Sequence, residues 1–211
     1  MPTELPTGSK VRFRADVMLE RPDIAAAMMR VVSLCSEMDY RWAVVLAEIL
    51  EAEAAAGVAM YNAVDNQIAK GRLLNAAAEK RLEPHYRKDL KALIRKAIDA
   101  AKLRNNIAHG QWGGIEGDLD GIVLGDGHWA STAVAGVLAR SHGVETILGS
   151  IPPDAVLLRF TVGDFLSNAD HVAALIEEQI ALTKAFKNYR SVIRGMFLSG
   201  ITEAAERISP A

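Results

Sequence analysis

The segment Lys102–Trp112, "KLRNNIAHGQW", carries three side chains that suit anion binding and proton transfer. The guanidinium of Arg104 can hold an anion through two parallel N–H donors. The imidazole of His109 can accept and donate protons, because histidine side chains in general have a reference pKa of about 6.5. Asn105 can orient either a phosphate oxygen or the imidazole. Arg104, Asn105 and His109 are therefore the candidate catalytic residues.

Helical periodicity places these residues at the end of a long amphipathic helix. Winding the chain at about 100° per residue from Leu90 gathers an apolar stripe on one face. The stripe consists of Leu90, Leu93, Ile94, Ala97, Ile98, Ala101 and Ala108. Arg104 falls inside the stripe, while Asn105 and His109, four residues apart, share its edge. A buried guanidinium without a partner is costly, so we expect Arg104 to meet an acid, an anion or a water-filled cleft.

A row of basic residues follows the flank of this helix near His109, formed by Lys88, Lys91, Arg95 and Lys102. Such a row can track the phosphates of a nucleic acid, and the alternative is an ordinary solvated helix face. Trp112 either packs inside the protein or stacks on a base. The predicted nucleic-acid contacts are therefore these four basic residues and Trp112.

The string "RNNIAHG" resembles the signature of the HEPN superfamily, the "higher eukaryotes and prokaryotes nucleotide-binding" helical domains. That signature is an arginine, a polar residue that is often asparagine, a short spacer and a histidine. Arg104, Asn105 and His109 match it, and Gly110 follows, as in an uncharacterised bacterial branch with an Arg-Asn-x-x-Ala-His-Gly motif. Many active members carry a tyrosine two residues after the histidine, where this chain has Gln111.

The resemblance extends beyond the motif to the order of the helices, over roughly residues 22–190. It includes an upstream helix with "RVVSLCSEMDYRWAVVLAEIL", a middle helix carrying Lys70 and a closing helix from Asp164. Arg104 could instead hold an acid of a neighbouring helix, with Glu48, Glu51 and Glu53 as candidates, and His109 could cap its own helix.

The resemblance implies metal-independent RNA cleavage, in which a ribose 2′-hydroxyl attacks the adjacent phosphate and leaves a 2′,3′-cyclic phosphate. His109 would then move protons, and Arg104 would stabilise the developing negative charge. Because one motif supplies a single histidine, the resemblance also implies a homodimer that joins two copies. It further implies a defence or toxin–antitoxin role with a cognate antitoxin or partner protein. The alternative is a non-catalytic helical module for RNA or protein, in which the motif is structural or binds phosphate.

Composition supports a globular protein rather than a membrane or disulfide-rich one. Half of the 211 residues are hydrophobic, and the net charge is −2, so an anionic partner requires a local basic patch. The single Cys35 excludes an internal disulfide and zinc sites built on several cysteines. We expect no metal, no cofactor, no membrane segment and a cytoplasmic location. His85, His128, His142 and His171 are scattered and are expected to be ordinary surface residues.

The predicted fold class is mainly α: an antiparallel bundle of four to five helices with a small β-hairpin inserted before the last long helix. Residues 1–21 form an arm in which "KVRFRADV" makes at most a short strand, and 22–190 form the helical domain. The strands "GIVL" and "DAVLLRFTV" are expected to pair, with 126–152 inserted between them as a loop or helix. Residues 191–211 are predicted to be a tail or short helix.

The helix boundaries follow from proline, glycine and cap signals. One helix, or two in series, begins at Pro22 and ends before Gly57, and further helices cover about 59–82 and 85–108. For the last helix, Thr161 and Asp164 have the spacing of a capping box.

Overall fold

Most described residues of the chain are helical. The computed structural model describes residues 2–5, 9–13, 16–125, 146–148 and 157–208, with backbone alone at 111, 146–148 and 197–208. Within these ranges lie five helices: α1 Pro22–Leu50, α2 Ala54–Asn62, α3 Gln67–Arg81, α4 Pro84–His109 and α5 Val162–Ile208. The mainly helical prediction is confirmed at this level.

The described part of the chain also has six short strands in one antiparallel sheet: β1 Thr3–Glu4, β2 Val11–Phe13, β3 Gln111–Ile115, β4 Asp118–Gly125, β5 Thr146–Leu148 and β6 Leu158–Thr161. Their order in the sheet is β1-β6-β4-β3-β2-β5. The expected pairing of "GIVL" with the strand before the last helix is present, with Ile122 opposite Phe160. The sheet is larger than the expected hairpin, because the glycine-rich segment after α4 turns at Gly117, with φ 80°, and adds β3.

The N-terminal arm is part of this sheet. β1 pairs with β6, and β2 lies between β3 and β5. Val11 and Phe13 are 0% and 5% exposed, so alternate side chains of β2 enter the core while Arg12 stays exposed. A Cβ at Gly113 would lie 2.9 Å from Val11, so glycine permits the close approach of β2 to β3.

By its internal contacts the chain divides into two compact units, each made of separate segments. Unit 1 comprises 1–36 and 99–173, and unit 2 comprises 37–98 and 174–211. Unit 1 contains the sheet, the beginning of α1, the end of α4 and the beginning of α5. Unit 2 holds the remaining parts of those helices and all of α2 and α3. The predicted division into 1–21, 22–190 and 191–211 stays a prediction.

Within unit 2, α1 and α5 run in the same direction. The carbonyl of Met38 accepts a hydrogen bond from Gln179 at 3.3 Å, and the carbonyl of Ile49 accepts one from Arg190 at 2.9 Å. The residue numbers rise together on both helices. The expectation of antiparallel neighbours therefore does not hold for this pair.

The α4 and α5 segments of unit 2 run in opposite directions, as expected for antiparallel neighbours. Lys96 pairs with Glu178 at 2.8 Å, and Tyr189 donates to Glu83 at 2.9 Å. The residue numbers therefore rise on one helix as they fall on the other. In unit 2, α5 is parallel to α1 and antiparallel to α4. It follows that α1 and α4 also point in opposite directions.

The helix predicted over 59–82 is divided in two. α2 ends at Asn62, and α3 begins after Asn66, whose side chain accepts a hydrogen bond from the backbone N–H of Ala69 at 2.8 Å. Asp39 of α1 joins both pieces, because it accepts hydrogen bonds from Tyr61 at 2.9 Å and from Lys70 at 3.0 Å. This carboxylate supplies the tertiary contact that the helix periodicity alone did not indicate.

The last helix continues beyond the predicted boundary at residue 190. α5 extends to Ile208, so residues 191–208 are helical rather than a separate tail. No proline lies between 190 and 208, and Gly195 does not adopt the positive φ of a helix-ending glycine, so the helix continues past both expected kinds of stop signal. Of the 126–152 insertion only β5 is described, and the short helix considered for it lies outside the described residues, as do His128 and His142.

Candidate functional site

The last two turns of α4 emerge from the core of unit 1. Arg104 is half-buried, and Asn105 and His109 are exposed. Ala100, 4% exposed, is the last fully buried residue of the helix. The apolar stripe was expected to continue to Ala108, but Ala108 is exposed. Helical phase fixes which residues share a face, whereas burial requires a neighbouring element that covers the face.

Arg104 makes a local hydrogen bond rather than an ion pair. Its Nη1 donates to Oδ1 of Asn105 at 3.1 Å, which orients the guanidinium at the surface. Among the residues that the structure describes, no carboxylate pairs with Arg104. The remaining guanidinium donors can therefore be offered to an anion.

The acids considered as partners for Arg104 are engaged in unit 2. Glu48 pairs with Lys187 at 3.0 Å, and Glu51 pairs with Arg194 at 3.2 Å. Glu53 is exposed and precedes α2. These acids were considered because a fully buried guanidinium requires a partner. Arg104 is only half-buried, so water can solvate it without a carboxylate.

Cys35 lies among the buried hydrophobic residues of α1. It is 6% exposed. Burial raises the pKa of the Cys35 thiol, and the positive charge of Arg104 acts in the opposite direction. The thiol is therefore a core group.

Gly110 fixes where α4 ends and β3 begins. Its N–H donates to the carbonyl of Asn106 at 2.7 Å, which continues the helical hydrogen bonding by one residue. A Cβ at Gly110 would collide with the side chain of Leu124 and the carbonyl oxygen of Asn106. Glycine is therefore required for close packing of the helix end on β4, and this packing sets the position of His109.

Trp112 packs inside unit 1. Its ring contacts Phe160 and Phe165 edge to face, with centroid distances of 5.7 and 5.9 Å. The indole N–H donates to the carbonyl of Ile107 at 3.4 Å. These contacts account for the tryptophan as an anchor of the last turn of α4, which is the packing alternative considered from the sequence.

The four basic residues of α4 that were predicted to contact phosphates are exposed. Lys102, in unit 1, pairs with Asp99 at 2.7 Å. Lys88, Lys91 and Arg95, in unit 2, form no ion pair with any residue that the structure describes. Three of the four predicted phosphate contacts thus keep their charges free of carboxylates.

Unit 2 also contains a cavity that the sequence analysis missed. It lies between α1 and α5 and has a volume of about 350 Å³. Its residues are far apart in the chain, and helical phase alone does not show which faces of two helices meet. An amide on the apolar face of α5, Gln179, is the signal that could have indicated it.

No group of three or more histidine, cysteine or acidic side chains in the described ranges is arranged to hold a metal ion. Likewise, none of the described helices combines the length and the apolar composition that a membrane crossing requires.

Comparison with models of known protein families gives no match to this chain. Searches against curated proteins and against solved structures give no match either.

Proposed function

We propose that this chain is a HEPN-like, metal-independent endoribonuclease that acts as a homodimer. Arg104 binds the scissile phosphate and stabilises its developing charge, His109 transfers protons, and Asn105 positions the guanidinium. The products are fragments with 2′,3′-cyclic phosphate ends, and the biological setting is defence or a toxin–antitoxin pair.

The observation that carries this proposal is the state of Arg104. An arginine with a structural role is normally buried against a carboxylate, but this one is half-buried, and its described hydrogen bond is to its neighbour Asn105. Arg104, oriented by Asn105, can therefore bind a phosphate that approaches the end of α4, and His109 is exposed one turn beyond Asn105 on the same side of the helix.

A second function, RNA binding without cleavage, is favoured by the exposed Lys88, Lys91 and Arg95 in unit 2. Unpaired surface cations release counterions when they meet phosphates, which provides affinity without sequence preference. This alternative agrees with Gln111 at the position where many active members carry tyrosine.

The test is an RNA cleavage assay with a mixed RNA pool in the presence of a chelator. We expect the wild-type protein to give cyclic phosphate ends and His109→Ala to be slower by about 100-fold, because positioned acid–base groups contribute roughly that factor or more. The matched control is His171→Ala, which removes another exposed histidine of unit 1. It should leave the rate unchanged.

Identical products from the wild-type protein and His109→Ala would overturn the proposal, and so would the absence of products. In the second case, retention of RNA by the wild-type protein, weakened by Lys91→Gln, would establish the binding alternative.

A further inference from the structure

The cavity of unit 2 has the size and walls of a small-molecule site. Its volume is about 350 Å³, and Val44 of α1 and Ile180 of α5 contribute apolar surface. Tyr40 also lines it and is 60% exposed, so an aromatic ring is available to a ligand. Protein sites for small organic molecules are roughly 300–1,000 Å³ and combine apolar walls with a few polar groups.

A buried amide in the cavity wall has an oxygen without a hydrogen-bond partner among the described residues. Gln179 lines the cavity and is 1% exposed. Its Nε2 donates to the carbonyl of Met38 at 3.3 Å, and this contact sets the orientation of the amide, because a turned amide would place two oxygens together. Its Oε1 is buried and has no hydrogen-bond partner among the described residues. Such an oxygen favours a ligand that brings an N–H or O–H donor.

The charges of the cavity leave one cation available. Arg41 pairs with Glu37 at 2.7 Å, and both residues line the cavity. Lys187 pairs with Glu48 at 3.0 Å. Lys184, exposed and also lining the cavity, forms no ion pair with a described residue. A single free ammonium matches a monoanion better than a doubly charged phosphate.

We propose that this cavity binds a small aromatic monocarboxylate that also carries a hydroxyl or amino donor. The ring packs between Val44, Ile180 and Tyr40, the carboxylate pairs with Lys184, and the donor reaches Oε1 of Gln179. Oε1 is shielded from water in this structure, so binding of the donor requires a small movement of the wall side chains. The new hydrogen bond offsets the free-energy cost of that movement.

Three related compounds test this assignment by isothermal titration calorimetry on the full chain. The ligand 4-hydroxyphenylacetate has all three features, phenylacetate lacks the donor, and tyramine carries a cation in place of the carboxylate. We expect the first to bind about tenfold more tightly than the second, and tyramine not to bind. Equal affinity for the two acids, or no binding of 4-hydroxyphenylacetate at millimolar concentration, overturns the proposal.

Two variants assign the binding to this cavity. Lys184→Gln should weaken both acids by about threefold, since the ammonium is exposed and its ion pair is partly screened. Gln179→Met should remove the preference for the hydroxyl, so that both acids bind alike. The control Lys80→Gln, at an exposed position of α3, should change nothing. If Lys184→Gln and Lys80→Gln affect binding equally, the acid is not held in this cavity. These binding measurements do not depend on whether the protein cleaves RNA.

Discussion

Arg104 and Arg190 show how the same side chain serves two purposes. Arg104 is half-buried and donates to its neighbour Asn105. Arg190 has a side chain 17% exposed, donates to the carbonyl of Ile49 at 2.9 Å and lies 3.8 Å from Glu48. The second arginine ties α5 to α1 within unit 2, whereas the first contributes little to holding elements together.

This difference predicts the stability of two matched variants. Arg104→Ala should lower the free energy of unfolding by no more than about 0.5 kcal/mol, since surface side chains without strong partners contribute little. Arg190→Ala should cost about 2 kcal/mol, because it leaves the carbonyl of Ile49 without its donor and removes one of the two cations beside Glu48. Chemical denaturation of both variants measures the comparison. A large loss for Arg104→Ala would instead make it a structural clamp and weaken the catalytic proposal.

At the scale of elements, the sheet and the helix that follows it are joined by polar contacts. Asp164 accepts hydrogen bonds from the backbone N–H and the hydroxyl of Thr161, at 2.9 and 2.8 Å. This cap at the start of α5 confirms the capping box seen in the sequence. Beside it, Arg159 of β6 forms a bidentate pair with Asp118 of β4, above Gly121, where a Cβ would lie 2.7 Å from Nε of Arg159.

The Asp118–Arg159 pair makes the stability of unit 1 depend on pH. Hydrogen bonding from Arg159 holds the pKa of Asp118 below its ordinary value, although partial burial acts in the opposite direction. A lowered pKa in the folded state means that the carboxylate stabilises the fold above its ordinary pKa of about 3.9. This contribution is lost as the pH falls through the folded-state value.

We therefore expect Asp118→Asn to lower the free energy of unfolding by about 1 kcal/mol at neutral pH. The difference from the wild-type protein should shrink below pH of about 4. Denaturant titrations across this pH range measure it. Asp170→Asn, which removes an exposed pair with Arg30 at 3.0 Å, is the control and should have a small effect. If the difference in unfolding free energy between Asp118→Asn and the wild-type protein stays constant down to pH of about 3, the Asp118–Arg159 pair is not the source of the pH dependence.

At the scale of the whole molecule, the proposed chemistry needs a second copy. One chain supplies a single motif histidine, and the reaction requires both removal of a proton from the 2′-hydroxyl and donation of one to the leaving oxygen. A closed two-fold dimer presents the same surface of each subunit to the other and so brings two motifs to one axis.

The proposed dimer predicts that the cleavage rate per chain depends on protein concentration. Activity per chain should fall on dilution in step with the dimer fraction measured by sedimentation equilibrium. His109→Ala should keep the wild-type mass, because His109 is exposed and has no partner among the described residues. Full activity from a chain that sediments as a monomer at the assay concentration would rule out a site shared by two copies.

The sequence by itself determined the local features of this protein. The helix starts at Pro22 and Pro84 and the capping box of Thr161 and Asp164 depend on neighbouring residues, so patterns along the chain predict them. The pairing of "GIVL" with the strand before α5 joins distant residues, but both segments have the composition of strands, which allowed the pairing to be predicted. The motif residues and their common helix end were found in the same way.

Only the tertiary structure decided which surfaces are covered. The apolar stripe of α4 is buried only to Ala100, which leaves Arg104 half-buried instead of in the core. Gly110 is required by a collision with Leu124, a residue on another element. The cavity beside Gln179 exists because faces of α1 and α5 meet in unit 2. These features depend on contacts between distant segments, which the period of one helix cannot encode.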